Sequence, residues 1–430
     1  MTHAVSVAVL VTVFVLATTT PVSLGVLAFA AAFLVGAVVS GVPPDDVVAH
    51  FPGDIFLIVV GVTLLFGIAR ANGTLDFLVS LLIGTVRGRR WAVLWAMFAL
   101  GAVLMSLGAV LAVGMLAPIA MPIARRYRID PLLMGVILAH GALGAAFSPI
   151  TLYGGFVNGW LSRAGLPTDP LALYLIPLGL SFVIALAVFL IRGRGLLRGA
   201  DRVDDGDGGD PPVRTAPAGA GDPLQAGAGT ARTRVDALQG LTLLGLVGLL
   251  VGTAGFGVDV GVGSLCIATV LLLVAPQRHR TATDGIAWPA VLLVCGMLTF
   301  MGVLEQNGTL ELLGNAAAGL GSPLLTAFVL CCTVAALSAV GSSIGTLGVV
   351  LPLAGPLLAT GGVSTLAVVA ALAFCTIVVD ISPFSSNGVL VLASAEVDDR
   401  AAFQRQLLRY CVTMVLVAPP LGFVLVALTS

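Results

Sequence analysis

The sequence contains no lysine; all twenty of its basic residues are arginine. Charge of either sign is scarce, at 10% of 430 residues, against 58% hydrophobic residues and a mean hydropathy of +1.11. A soluble chain of this length needs far more polar surface, so a soluble enzyme or binding domain is excluded. The formal net charge of −1 leaves no electrostatic footprint for a nucleic-acid partner. Six cysteines (Cys266, Cys295, Cys331, Cys332, Cys375, Cys411) all lie in apolar runs of the second half, with no CxxC or metal-ligand spacing. They read as small buried apolar residues. There is no HExxH, no carboxylate pair at helical spacing inside an apolar run and no nucleophile elbow, so no enzyme is expected. The first twenty residues resemble a signal peptide but lack a basic leading region, and are read as a first membrane helix.

What is present is a series of long apolar runs. A bilayer crossing takes about 20 apolar residues. Spans are expected at 5–19, 24–41, 54–71, 132–161 (broken near Ser148) and 171–191, then at 238–253, 258–275, 286–305, 366–395 (broken near Ser382) and 407–428. Between the two sets lies a stretch rich in Gly, Pro, Asp and Ala that cannot bury a core. The expected organisation is a first transmembrane repeat over 1–192, a flexible linker over 193–236 and a second repeat over 237–430. Two runs, 91–122 and 323–356, are too long for one crossing and have small or polar centres. Both are read as re-entrant hairpins, whose tips need protein or water around their free backbone groups. On this count nearly all arginines fall on the linker side and only Arg163 on the other, with Asp45, Asp46, Asp54, Asp259 and Glu305. The positive-inside rule then makes the linker cytoplasmic and both termini external.

The two halves share motifs at almost one offset. Asn72-Gly73-Thr74 matches Asn307-Gly308-Thr309 at 307 − 72 = 235, and Asp76 matches Glu311. Pro118-x-Ala120-x-Pro122 matches Pro352-x-Ala354-x-Pro356, and Ser148-Pro149-x-Thr151-x-x-Gly154 matches Ser382-Pro383-x-Ser385-x-x-Gly388, both at 234. Three ordered matches argue for duplication. An odd number of crossings per copy turns the second copy upside down. The expected fold is therefore an all-α polytopic membrane protein of two inverted repeats, each of about five transmembrane helices with one re-entrant hairpin and one broken helix. Such repeats bind substrate near the midplane, where broken helices meet.

Candidate ligands follow from that geometry. The hairpin tips offer Ser106 and Gly108 in the first copy, and Ser342, Ser343 and Thr346 in the second. The breaks offer Ser148 and Thr151, then Ser382, Ser385, Ser386 and Asn387. Hydroxyls and half-helix N–H groups suit a carboxylate, and unwound carbonyls suit a cation. Alone, each Ser-Pro reads as a structural kink; two symmetric copies, each opposite a polar tip, favour a binding site. Asp380 is the one acidic residue well inside an apolar run, and such a group is usually functional. With His140 and Asn387 it is the candidate for cation coupling. Asn-Gly-Thr reads as a turn and helix cap. No arginine lies at a tip or break, so an anion would be held by hydroxyls, dipoles and co-bound cations. Carrying a dianion into a cell at −100 mV costs about 4.6 kcal/mol, so uptake needs roughly three coupled cations.

The stretches FPGDIFLIVVGVTLLFGIARANGTLDFL, VRGRRW, ARRYRIDPLLMG, AHGALGAAFSPITLYGGFVNG and RAGLP, within 27–167, resemble the N-terminal domain of the MatC dicarboxylate (malonate) carrier family. The second half, with VVDISPFSSNG, resembles the same family's C-terminal part. The resemblance implies the ion-transporter superfamily that includes divalent-anion/sodium symporters. It implies a homodimer in a bacterial inner membrane, a small carboxylate substrate and a coupling cation. No cofactor is implied beyond a bound Na⁺. In those symporters Ser-Asn-Thr tips bind carboxylate and Na⁺; the first tip here, Ser106-Leu-Gly-Ala, departs from that pattern. Arsenite, citrate–metal or Na⁺/H⁺ exchange, or a channel, are the alternatives.

Overall fold

The computed structural model describes residues 2–20, 22–75, 77–78, 81, 89–198, 236–310, 312, 322–341, 343–359 and 362–429. The site candidate Ser342, the matched pair Asp76 and Glu311, and linker residues 199–235 lie outside them. The described residues form eighteen α-helices and no strand. The first half holds α1 (Thr2–Thr19), α2 (Leu24–Phe33, prolonged by a π-helical turn Leu34–Val39), α3 (Pro44–Ala49), α4 (Gly53–Ala71), α5 (Arg90–Ser106), α6 (Ala112–Arg126), α7 (Pro131–Gly144), α8 (Leu152–Arg163), α9 (Pro170–Arg192) and α10 (Arg194–Arg198). The second half holds α11 (Ala237–Phe256), α12 (Val260–Val274), α13 (Trp288–Gln306), α14 (Pro323–Ser338), α15 (Ser343–Ala359), α16 (Thr365–Val378), α17 (Ser386–Ser394) and α18 (Arg400–Thr429). The stretch expected as linker thus starts with the short helix α10, which packs on α5.

Helix starts are set by the same cap chemistry in both halves. Ser23 and Asp259 cap α2 and α12, Asp130 and Ser364 cap α7 and α16, and Thr151 and Ser385 cap α8 and α17. Each side chain accepts an orphan N–H of the first turn, worth about 1 kcal/mol. Four helices (α4, α9, α13 and α18) are long and apolar enough to cross a membrane unaided. At 14 residues, α7 and α16 rise about 21 Å each, short of a ~30 Å hydrocarbon core, so α8 and α17 must complete those crossings.

Packing links the halves through equivalent contacts. Helix α2 lies along α13, and α12 lies along α4. Glycines permit both approaches: a Cβ on Gly296 would lie 2.3 Å from the Gly25 carbonyl oxygen, and one on Gly61 2.9 Å from that of Gly261. The second helix of each copy is thus held by the fourth-helix equivalent of the other. The Asn-Gly-Thr turns repeat the exchange. Asn72 and Asn307 each accept the N–H two residues on, at 3.1 Å, while Gly73 and Gly308 take φ of 74° and 73°. The Asn72 amide then donates to Thr242 of α11 at 2.7 Å, and the Asn307 amide to Ser6 of α1 at 3.2 Å. At the centre, α7 from Leu132 onward and α16 from Ala367 onward are buried on every side, as helices apolar all round must be.

Candidate functional site

The two central helices both stop in the middle of the protein. After α7 the chain is non-helical over 145–151, and after α16 over 379–385. Pro149 and Pro383 lie in these breaks and supply no N–H to continue a helix. The breaks close in the same way. Thr151 donates to the Ser148 carbonyl at 2.7 Å and accepts from Gly154 N–H at 3.1 Å. Ser385 donates to the Ser382 carbonyl at 2.9 Å and accepts from Gly388 N–H at 3.2 Å. A Cβ on Gly154 would fall 2.0 Å from the Ser148 oxygen, and one on Gly388 1.8 Å from the Ser382 oxygen. The shared motif is therefore a self-closing kink, and the Thr151 and Ser385 hydroxyls are engaged by their own backbone.

The surroundings of the two breaks differ. In the first copy, the Ser148 hydroxyl donates to the Ser106 carbonyl at 2.8 Å, fastening the break to the α5–α6 tip. The Ser106 hydroxyl meets the Tyr174 hydroxyl at 2.8 Å. Gly108 takes φ of 107°, and a Cβ there would fall 2.3 Å from Val62, so this position serves the backbone. The tip is otherwise lined by Leu107, Ala109 and Val110.

In the second copy the tip and break share a carboxylate. Asp380, 3% exposed, accepts from the Ser343 hydroxyl at 2.6 Å and from the Asn387 amide at 3.0 Å, both at Oδ2. Ser343 also approaches Ser338, at 3.0 Å, and Ser338 donates to the Thr376 carbonyl at 2.8 Å. Thr346 is buried one turn along α15, Ser382 accepts from Phe384 N–H at 3.1 Å, and Ser386 is exposed. Tyr153, the first-copy counterpart of Asn387 (387 − 234 = 153), comes against Ser343 and into the field of Asp380. Among the described residues no arginine or histidine pairs with Asp380. A carboxylate so enclosed needs its charge matched by a cation or cancelled by a proton.

The structure does not join His140 to Asp380 by a hydrogen bond. The His140 imidazole, itself buried, bonds the hydroxyl of the partly buried Tyr410 across α7 and α18. Beside it, the Cys411 thiol donates to the Val379 carbonyl at 3.6 Å, next to the carboxylate. Sequence reading placed Tyr153 and Asn158 only along the path after the first break, without the 234-residue offset that aligns Tyr153 with Asn387. It passed over Ser338 and Tyr410, which nothing in the sequence marks. No group of three or more metal-ligating His, Cys, Asp or Glu side chains occurs among the described residues.

The model of the dicarboxylate carrier protein MatC N-terminus matches residues 1–146. The model of the Na⁺/H⁺ antiporter family matches residues 238–425, so the second half is described by a different family from the first. The fold is that of the Alcanivorax borkumensis YdaH transporter, whose crystal structure superposes with a TM-score of 0.59 at 19% identity, covering 88% of this chain and 86% of that one. No curated protein sequence matches the chain. With both halves matched to carrier models, the chain is a multi-pass secondary transporter.

Proposed function

We propose that this transporter moves a small carboxylate, malonate or another dicarboxylate, across a bacterial inner membrane by alternating access, coupled to Na⁺ or H⁺. The observation that carries the coupling is Asp380, buried with only neutral donors, Ser343 and Asn387, on its oxygen. The cation or proton that balances Asp380 leaves or arrives with the substrate. Ser343, Thr346 and Asn387 would hold the substrate carboxylate beside it, with Tyr153 completing the wall from the other copy. A dicarboxylate substrate is supported by the match of residues 1–146 to the dicarboxylate carrier protein MatC N-terminus.

The orientation rests on charge. Helix α4 carries Asp54 in its first turn and Arg70 in its last, whereas α7 and α8 together run from the cap residue Asp130 to Arg163. Arg163 pairs with Asp54, so Arg70 and Asp130 lie at the opposite face, where Arg192 also pairs with Asp130. That arginine-rich face is the cytoplasmic one, which leaves the termini outside. The two repeats are then inverted, the pairs α5–α6 and α14–α15 re-enter from opposite faces, and the protein assembles as a homodimer.

A second reading, proton or Na⁺ exchange without carboxylate, is favoured by the antiporter model over the half that holds Asp380. Both are tested by uptake of labelled malonate and succinate into proteoliposomes under separate Na⁺ and H⁺ gradients, with Asp380→Asn as the control. Uptake driven by one gradient and lost in the variant is the expected result. Counter-movement of Na⁺ and H⁺ with no carboxylate uptake would sink the carrier reading in favour of exchange.

A further inference from the structure

A cavity of about 940 Å³ opens between α8 and α15, with Asp54, Arg163 and Glu305 at its mouth. Both helices start at the candidate site and run outward along this cavity: α8 carries Tyr153 as its second residue, and α15 begins at Ser343. Trp160 and Gly355 face each other in its wall, a Cβ on Gly355 lying 3.7 Å from the indole ring. Deeper along the same helices the walls meet. A Cβ on Gly348 would lie 3.4 Å from Met297 and 4.0 Å from Phe156, both fully buried. This layer separates the cavity from Ser343 and Asp380. Pro352 removes the N–H that would bond the Gly348 carbonyl, which weakens the helix at the same level.

The repeat supplies a second version of this geometry. Gly348 corresponds to Gly114 and Phe156 to Leu390, each at an offset of 234 (348 − 114 and 390 − 156). Helices α6 and α17, the counterparts of α15 and α8, pack directly on one another. A Cβ on Gly114 would fall 2.8 Å from Leu390, and one on Gly135 2.6 Å from Val391. Arg125 and Glu396 pair at the outer end, at 3.3 Å. Equivalent helix pairs are thus seen once apart and once closed.

We propose that these pairs are the two half-paths of the transporter, gated by Phe156 on Gly348 and by Leu390 on Gly114. In the state described, the α8–α15 half is open down to its gate and the α6–α17 half is shut. Transport exchanges the two conditions. This inference rests on the alternating-access reading but needs no knowledge of the substrate.

The test is side-specific thiol labelling. Gly355→Cys places a thiol in the open cavity, and Met121→Cys places one at the equivalent level of the shut half (355 − 234 = 121). Sealed vesicles of both orientations are treated with a membrane-impermeant methanethiosulfonate, with the unsubstituted chain giving the background of the native cysteines. Gly355→Cys should react from its own face at least about tenfold faster than Met121→Cys from the other. Adding Gly114→Ala, whose new methyl would lie 2.8 Å from Leu390 Cδ1 and displace that side chain from its seat, should raise Met121→Cys labelling and lower that of Gly355→Cys. Leu390→Ala provides the same loosening if Gly114→Ala does not fold. Equal labelling of both thiols in the starting background, or a joint rise, would mean a continuous pore and would overturn the gates. Reciprocal labelling without carboxylate uptake supports the gates and refutes only the substrate.

Discussion

The two broken helices are built alike and furnished differently. Both stop after fourteen helical residues, and both close through a hydroxyl that bridges its own backbone. Where the second copy has Ser343, Asp380 and Asn387, the same offset finds Ala109, Ala146 and Tyr153 in the first. The kink is therefore architecture, present in both halves, and the carboxylate is present in the second alone. Of two equivalent positions at the centre, only one is polar enough to hold a charge. The first copy contributes Tyr153 across the interface instead. A symmetric scaffold thus encloses an asymmetric site.

That contrast can be broken at several strengths. The largest effect is expected from Ala146→Asp, which puts a carboxylate into the break that lacks donors. An unpaired buried charge should lower stability by about 3–5 kcal/mol, read as a large drop in thermal unfolding temperature in nanodiscs. Full stability would mean that the first break already has a hidden counter-charge. Next, Asp380→Asn keeps shape and hydrogen bonds but removes the charge. Gradient-driven uptake should fall roughly a hundredfold, about 2.7 kcal/mol, while thermal stability holds. A variant that still couples would move the cation site elsewhere.

The common architecture makes a third prediction. Gly154→Ala and Gly388→Ala both drive a methyl into a carbonyl and should each destabilise by about 1–3 kcal/mol, to similar extents. A tolerated change in one copy alone would show that the breaks are not equivalent. The smallest effect concerns the turns. Asn72→Ala and Asn307→Ala each lose a cap and a cross-copy hydrogen bond, costing about 1 kcal/mol each and leaving coupling unaltered. Loss of transport without loss of stability would put these amides at the ligand.

The helical class and the positions of the breaks were legible in the sequence because they rest on local causes: apolar runs, proline, and a motif repeated at one offset. Asp380 stood out because charge in an apolar run is costly. The packing of α2 on α13 was not legible, since a glycine in an apolar helix looks the same whether it faces lipid or a backbone. The backbone partners of the Thr151 and Ser385 hydroxyls were not legible either, since a hydroxyl near a kink looks the same in sequence whether or not its own backbone engages it. The partners of His140 and Ser338 come from helices distant in sequence, and no spacing rule reaches that far. Helix α10 hid at the head of a stretch whose overall composition resists structure.

The exchange of partners between copies has a consequence for synthesis. The Asn307 amide that holds Ser6 is made some 300 residues after its partner, and the Gly25 surface waits as long for Gly296. Thr242 meets Asn72 sooner, but only once the linker has passed. Neither copy can finish its own scaffold on the ribosome. Helices α5, α6, α7 and α9 can pack on one another at once, but α2 and α4 must wait in the bilayer for α13 and α12. A chain cut at the linker should yield two inserted halves in which α2, α4, α12 and α13 reach their final packing only when both are present.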